Sequence, residues 1–237
     1  MSYTKTTWET GDVITAEKMN KIEDGVESAF GFSEQLNALI DGSITEITIP
    51  VDVTELCDEA FSSRKNLESV IMHDGVTKIG NGAFKSCTSL ETVTISSGVT
   101  TIGNNMLANC TSLETVTIPS SVTTIGDSMF AGCTALKAIT IPSSVTSIGN
   151  SMFSACTGLE TVTIPSSVTS IGSDAFVGCT SLNSMYLYSI TPPTVANGAF
   201  GGVPETCNIY VPAESVDAYK AASSWSARAS YIQAIQE

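Results

Sequence analysis

Basic residues are scarce. Ten Lys and Arg stand against 24 Asp and Glu, leaving a formal net charge of −14. Binding a polyanion draws on clustered Lys and Arg, and the few bases here are scattered, so nucleic acid is not expected as a partner. The same charge disfavours an anionic membrane surface. Long apolar runs are missing too: no stretch approaches the ~18–20 residues that span a bilayer, so membrane insertion is not expected. The opening MSYTKTTWETGDVITAEK has no apolar core of a secretory signal, which implies synthesis and folding in a cytoplasm and another route out of the cell. One histidine, His73, and seven cysteines without a Cys-x-x-Cys pair leave too few ligands for a zinc site. No cofactor is implied.

What is present is a repeat. Cys87, Cys110, Cys133, Cys156 and Cys179 follow one another at intervals of 23 residues. Around them the sequence nearly copies itself. Leu113-Glu-Thr-Val116-Thr-Ile118-Pro119-Ser-Ser-Val122-Thr-Thr-Ile125-Gly126 recurs as Leu159-Glu-Thr-Val162-Thr-Ile164-Pro165-Ser-Ser-Val168-Thr-Ser-Ile171-Gly172. A Phe follows in each unit (Phe84, Phe130, Phe153, Phe176), with Leu107 as the exception. Seven units hold the register over about residues 44–200, after which it loosens. The spacing L-x-x-V-x-I alternates with period two, so Val116 and Ile118 face a core and Thr117 faces out. Pro119 ends the strand, and Gly126 is expected to supply a turn conformation that a Cβ resists. One coil cannot bury its apolar face alone, whereas stacked coils can. The expected fold is mainly β: a leucine-rich-repeat solenoid with a short N-terminal helix and a C-terminal capping helix.

The run I-P-S-S-V-T-x-I-G-x-x-x-F-x-x-C-x-x-L resembles the BspA-like leucine-rich repeats of bacterial and some protist surface proteins. The closing residues fit that resemblance. Thr191-Pro-Pro-Thr, Ala199-Phe200, Ile209-Tyr-Val-Pro212 and a helix through Val216, Tyr219 and Lys220 look like the segment that covers the last coil's open face. The resemblance speaks to fold. Such repeats are scaffolds and adhesive surfaces for many partners.

Residues 1–40 carry no repeat. Thr15 is placed to cap a helix opening at Ala16, on which Met19, Ile22, Val26 and Ala29 form one apolar stripe. Such a helix can dock on the first coil or meet copies of itself. The stretch from Trp8 through Ile14, Met19 and Ile22 to Val26 is similar to the opening of tail, baseplate and head-fibre proteins in bacteriophages of Gram-positive hosts. That resemblance implies attachment to virion proteins or oligomerisation through Trp8, Ile14, Met19, Ile22 and Val26, with a trimer expected by analogy with fibres. It also implies exit by lysis. The divisions expected are 1–40 for attachment, 41–212 for the solenoid and 213–237 for the cap.

Two features invite a functional reading. The cysteine column reads as reduced, buried, small apolar side chains, because side chains in a ladder point in parallel and a disulfide wants them convergent. Cys57 and Cys207 fall outside it. Thr48, Thr94, Thr117, Thr140 and Thr163 share one outward strand position, and Thr92, Thr115 and Thr161 another, with Ala138 interrupting. Thr simply suits exposed strands, but such a face also offers hydroxyls and methyls to a glycan or protein. Ile71 and Tyr186 break the register and argue against ice binding. Thr94, Thr117, Thr140, Thr163 and Tyr186 are therefore the candidate ligand face. The aromatics Tyr188, Tyr210, Trp225 and Tyr231 suit closing the core against the cap. Catalysis lacks a nucleophile–base frame around His73 or a convergent acid pair, so no enzyme is expected. The expected function is a non-enzymatic virion protein, a fibre or decoration subunit, that displays a repeat domain to a host-surface glycan or protein. The alternatives are a bacterial cell-surface adhesin and a virion element with no ligand.

Overall fold

The computed structural model describes residues 12–14 and 38–236. The repeat winds into a stack of coils, each contributing one strand to a broad face and another, of two residues in all but the first coil, to a narrow face. The strands of the broad face are β2 (Glu46–Thr48), β4 (Ser69–Ile71), β6 (Thr92–Thr94), β8 (Thr115–Thr117), β10 (Ala138–Thr140), β12 (Thr161–Ile164), β14 (Ser184–Leu187) and β16 (Asn208–Val211). Those of the narrow face are β3 (Val53–Leu56) and the two-residue β5 (Lys78–Ile79), β7 (Thr101–Ile102), β9 (Thr124–Ile125), β11 (Ser147–Ile148), β13 (Ser170–Ile171) and β15 (Thr194–Val195). All pairing is parallel, and Val70 lies opposite Val93, Val93 opposite Val116, and Val162 opposite Met185. Apolar side chains thus stack on their counterparts at the ~4.8 Å spacing of a β-ladder. The register expected to loosen after residue 200 continues for one more coil, since β16 pairs with β14 and sets Ile209 beside Met185.

The third side of each coil has no strand. Here phenylalanine rings stack down the axis, Phe61 on Phe84 at 5.2 Å, then Phe130, Phe153, Phe176 and Phe200 at 5.2–5.9 Å. Leu107 interrupts the column and is itself fully buried. The tight turns come from two columns of left-handed residues. One holds Asn105, Ser128, Ser151 and Asp174 (φ 51–57°) and the other Asn109, Gly132, Ala155 and Gly178 (φ 57–76°).

This corrects the role expected for Gly126, which does not have positive φ. The glycines of that column are required because coils touch there. A Cβ at Gly103 would lie 2.6 Å from the Asn81 nitrogen, and one at Gly172 would lie 2.7 Å from the Asn150 nitrogen. Gly126 meets Asn104 in the same way.

The cysteines at 87, 110, 133, 156 and 179 are buried and free, yet they are more than apolar filler. Each thiol donates to a carbonyl one coil back: Cys87 to Phe61, Cys110 to Phe84, Cys133 to Leu107, Cys156 to Phe130 and Cys179 to Phe153, at 3.0–3.2 Å. Burial pushes Cys87 and Cys179 up to about 12 and moves Cys110, Cys133 and Cys156 further in the same direction. Cys207, expected to stand apart, is also buried and lies near enough to Cys179 to disfavour its ionisation.

Beyond β16 come a short helix α1 (Val216–Ala221), a 3-10 segment (Ser226–Tyr231) and β17 (Ile232–Ala234), which joins the broad sheet with Ile232 beside Ile209. Tyr219 and Trp225 are wholly buried. The Trp225 ring tilts against Phe200 at 5.4 Å, and its Nε1 donates to the Pro193 carbonyl at 2.9 Å. Arg228 donates to the Pro204 and Val203 carbonyls and lies over the Phe200 ring. The last coil's apolar end and its orphan carbonyls are covered together. At the other end, β1 (Asp12–Ile14) runs parallel to β3 with Ile14 opposite Leu56, so this stretch adds a strand to the narrow sheet. Leu39 is buried, and Asn66 Nδ2 donates to its carbonyl. Trp8, Met19, Ile22, Val26 and the helix expected from Ala16 lie outside the described residues.

Candidate functional site

The strand alternation that buries Val and Ile leaves the candidate residues in one column on the broad face. Thr94 lies opposite Thr117, Thr140 opposite Thr163, and Thr163 opposite Tyr186. Thr94, Thr117 and Thr140 are exposed, while Thr163 and Tyr186 are half-buried. Ile71 occupies the same column and is 46% exposed, which interrupts the hydroxyl pattern where the sequence placed the interruption. Towards the C-terminal end the column turns aromatic. Tyr186 and Tyr210 stack at 4.7 Å with their planes 12° apart, and Gln233 Nε2 bonds the neighbouring Asn208 Oδ1. Tyr188 stands exposed one strand position beyond Leu187. Trp225 is buried at the cap, and Tyr231 is half-buried there.

The column is not continuous. The broad face consists of two sheets, β2-β4-β6-β8 and β10-β12-β14-β16-β17, and the narrow face of β1-β3-β5-β7-β9 and β11-β13-β15. Thr117 and Thr140, adjacent in the sequence pattern, are therefore not ladder partners. Between them lies a crevice of about 340 Å³, lined by Thr115, Val116, Thr117, Ile118, Ala138, Ile139, Thr140 and Pro142. The local sequence departs here as well. Lys137 replaces the Glu of flanking coils and reaches Glu160 at 3.6 Å, and Ala138 replaces a Thr. Ile139 likewise stands where the flanking coils have Val116 and Val162. A larger depression of about 430 Å³ lies over β11, β13 and β15. Its lining offers little free chemistry, because the Asp127 carboxylate already takes the backbone N–H and side-chain amide of Asn150.

His73 Nδ1 accepts the Gly75 N–H at 3.0 Å, while its Nε2 and the Ser96 hydroxyl are buried without partners. With Nδ1 held by the His73 loop's own backbone, no carboxylate orients this imidazole as a base. Among the described residues no group of His, Cys, Asp and Glu could hold a metal ion, and no helix is long and apolar enough to cross a membrane.

A profile described as "BspA type leucine rich repeat region" matches residues 35–160 and 147–224, in six copies. Among solved structures, a leucine-rich repeat protein of T. pallidum is similar, with 27% identity and a TM-score of 0.63 over 69% of this chain and 79% of that one. A leucine-rich repeat protein of Bacteroides ovatus ATCC 8483 is 26% identical with a TM-score of 0.57, and the match covers 81% of this chain but only 48% of that longer one. No curated protein matches the sequence.

Proposed function

Because the chain belongs to the BspA-type leucine-rich repeat family, we propose that it is a non-enzymatic adhesion scaffold whose threonine–tyrosine column contacts a surface glycan. The observation that carries this reading is the column itself: exposed Thr94 and Thr117 on one sheet, and on the next exposed Thr140 leading to the stacked Tyr186 and Tyr210. Hydroxyls, methyls and aromatic faces on a preorganised surface suit weak, repeated contacts. Many copies on one carrier turn weak contacts into avidity. The carrier we propose is a phage particle, on which the chain is a fibre or decoration subunit held by virion proteins through Trp8, Ile14, Met19, Ile22 and Val26. The resemblance of residues 8–26 to fibre openings favours it. A bacterial cell surface fits the repeat family equally well.

The adhesion reading is tested by glycan-array binding of the full chain against Tyr186→Ala and Thr140→Val; silence of the full chain on every glycan refutes it. The carrier is tested by immunogold labelling of purified particles and of intact cells. Label on cells alone refutes the particle. Assembly is read from light-scattering mass, where a trimeric full chain and a monomeric truncation beginning at residue 38 support oligomerisation through the leading segment.

A further inference from the structure

We propose that the seam between β8 and β10 is a preformed subsite for a neutral pyranose ring; this rests on the reading of the broad face as a glycan contact. Elsewhere each coil is bonded to the one before it along both strand faces. Thr123 N–H donates to Thr100 at 3.0 Å and Gly126 to Ile102 at 2.9 Å, and again Thr169 to Thr146 and Gly172 to Ile148 at 2.9 Å. At the junction between these, the matching narrow-face N–H groups of Thr146 and Gly149 make no such bond to the coil before, and on the broad face, where Glu114 N–H donates to Glu91 at 3.3 Å and Glu160 N–H to Lys137 at 2.8 Å, the Lys137 N–H makes none. Both sheets end here. The spacing agrees: a Cβ on Gly149 would clear the nearest backbone atom of the preceding coil, Asp127 Cα, by 3.4 Å, against 2.6–2.7 Å at Gly103 and Gly172. Val116 and Ile125, whose counterparts Val93, Val162, Ile102 and Ile171 are buried, are left half-buried.

The opening is framed, not frayed. At one end Thr134 Oγ1 donates to the Thr111 carbonyl at 3.2 Å, and at the other Ser144 Oγ donates to Val122 at 2.5 Å. Behind it the third side keeps its bonds, Phe130 to Met152 at 2.9 Å and Asn150 to Asp127. An open depression therefore remains over β8 and β10, two neighbouring strands that share no ladder pair.

Its lining selects a ligand class. Thr115, Thr117 and Thr140 supply hydroxyls, Val116, Ala138 and Ile139 supply an apolar floor, and no charged side chain takes part. A sugar ring carries equatorial hydroxyls around an apolar face and matches both, whereas a polyanion would meet a chain of net charge −14. The volume of about 340 Å³ falls at the small end of ligand sites, which span ~300–1,000 Å³, enough for one ring or two.

The test is an NMR titration of the isotope-labelled full chain with maltotriose, cellotriose and tri-N-acetylglucosamine at millimolar concentrations. At least one should give saturable amide shifts at residues 115–118 and 138–142. Ala138→Thr, which restores the residue of the flanking coils at an exposed position, should weaken that binding about tenfold without lowering the melting temperature. Shifts confined to the surroundings of Tyr186 and Tyr210 would overturn the seam subsite and leave the glycan face standing. Absence of shifts with every sugar, joined to silence on the glycan array, would overturn both.

Discussion

Asn150 grips the Asp127 carboxylate twice, its backbone N–H on Oδ1 at 2.8 Å and its side-chain amide on Oδ2 at 3.0 Å. The same relation joins Asn81 to Asp58, but there an intact ladder runs alongside, between β3 and β5. At Asp127 the neighbouring strands β9 and β11 do not pair with each other, so this clamp carries more of the junction. Asp127→Ala should cost about 1–2 kcal/mol and should accelerate amide exchange across residues 138–149. The equivalent Asp58→Ala should leave exchange in its own ladder slow. Equal acceleration in both variants would show that the seam is not the weaker junction.

A second expectation concerns backbone strain. Ala155 sits at φ 57° in a column where Gly132 and Gly178 take the same place one coil to either side. A left-handed residue with a Cβ costs roughly 1–2 kcal/mol, part of which glycine returns through its larger unfolded-state entropy. Ala155→Gly should therefore stabilise the chain by about 0.5–1 kcal/mol in urea unfolding. A loss of stability would mean that the methyl makes compensating contacts.

The ring column tests the register of the repeat. Phe130 is fully buried and stacks on Phe153 at 5.5 Å. Phe130→Ala should cost about 3–5 kcal/mol, whereas Leu107→Phe, at the one interruption, probes whether that place can accept a ring. Phe130→Ala with an unchanged melting curve would contradict the core assignment.

The thiol ladder sets an alkaline limit. Cys87 and Cys179 are raised from 9.0 to about 12 and Cys207 to about 11, chiefly by burial. Above their ordinary value the unfolded chain releases these protons first. The folded state keeps them, so stability is at its full value below pH 9 and falls as pH rises towards 12. Denaturant midpoints should be flat in the neutral range and decline through that window, and Cys110→Ala with Cys133→Ala should flatten the decline. In the native state only the half-buried Cys57 should react readily with a thiol reagent, the other six reacting on unfolding.

Local pattern made most of this architecture legible. The 23-residue period and the Val-x-Ile alternation determine a solenoid, name its core columns and put Thr94, Thr117, Thr140, Thr163 and Tyr186 on one outward column, because each coil repeats the same short-range choices and parallel stacking superposes them. What the period cannot express is how tightly one coil meets the next. Whether Thr117 and Thr140 are bonded neighbours or the two sides of an open depression depends on the spacing between coils, which is a balance over a whole junction of hydrogen bonds, ring contacts and corner clamps. Gly126 shows the same division. Its recurrence was plain in the sequence, but only the approach of one backbone to another, across 23 residues, reveals that it answers to packing and that Ser128 and Gly132 make the turn.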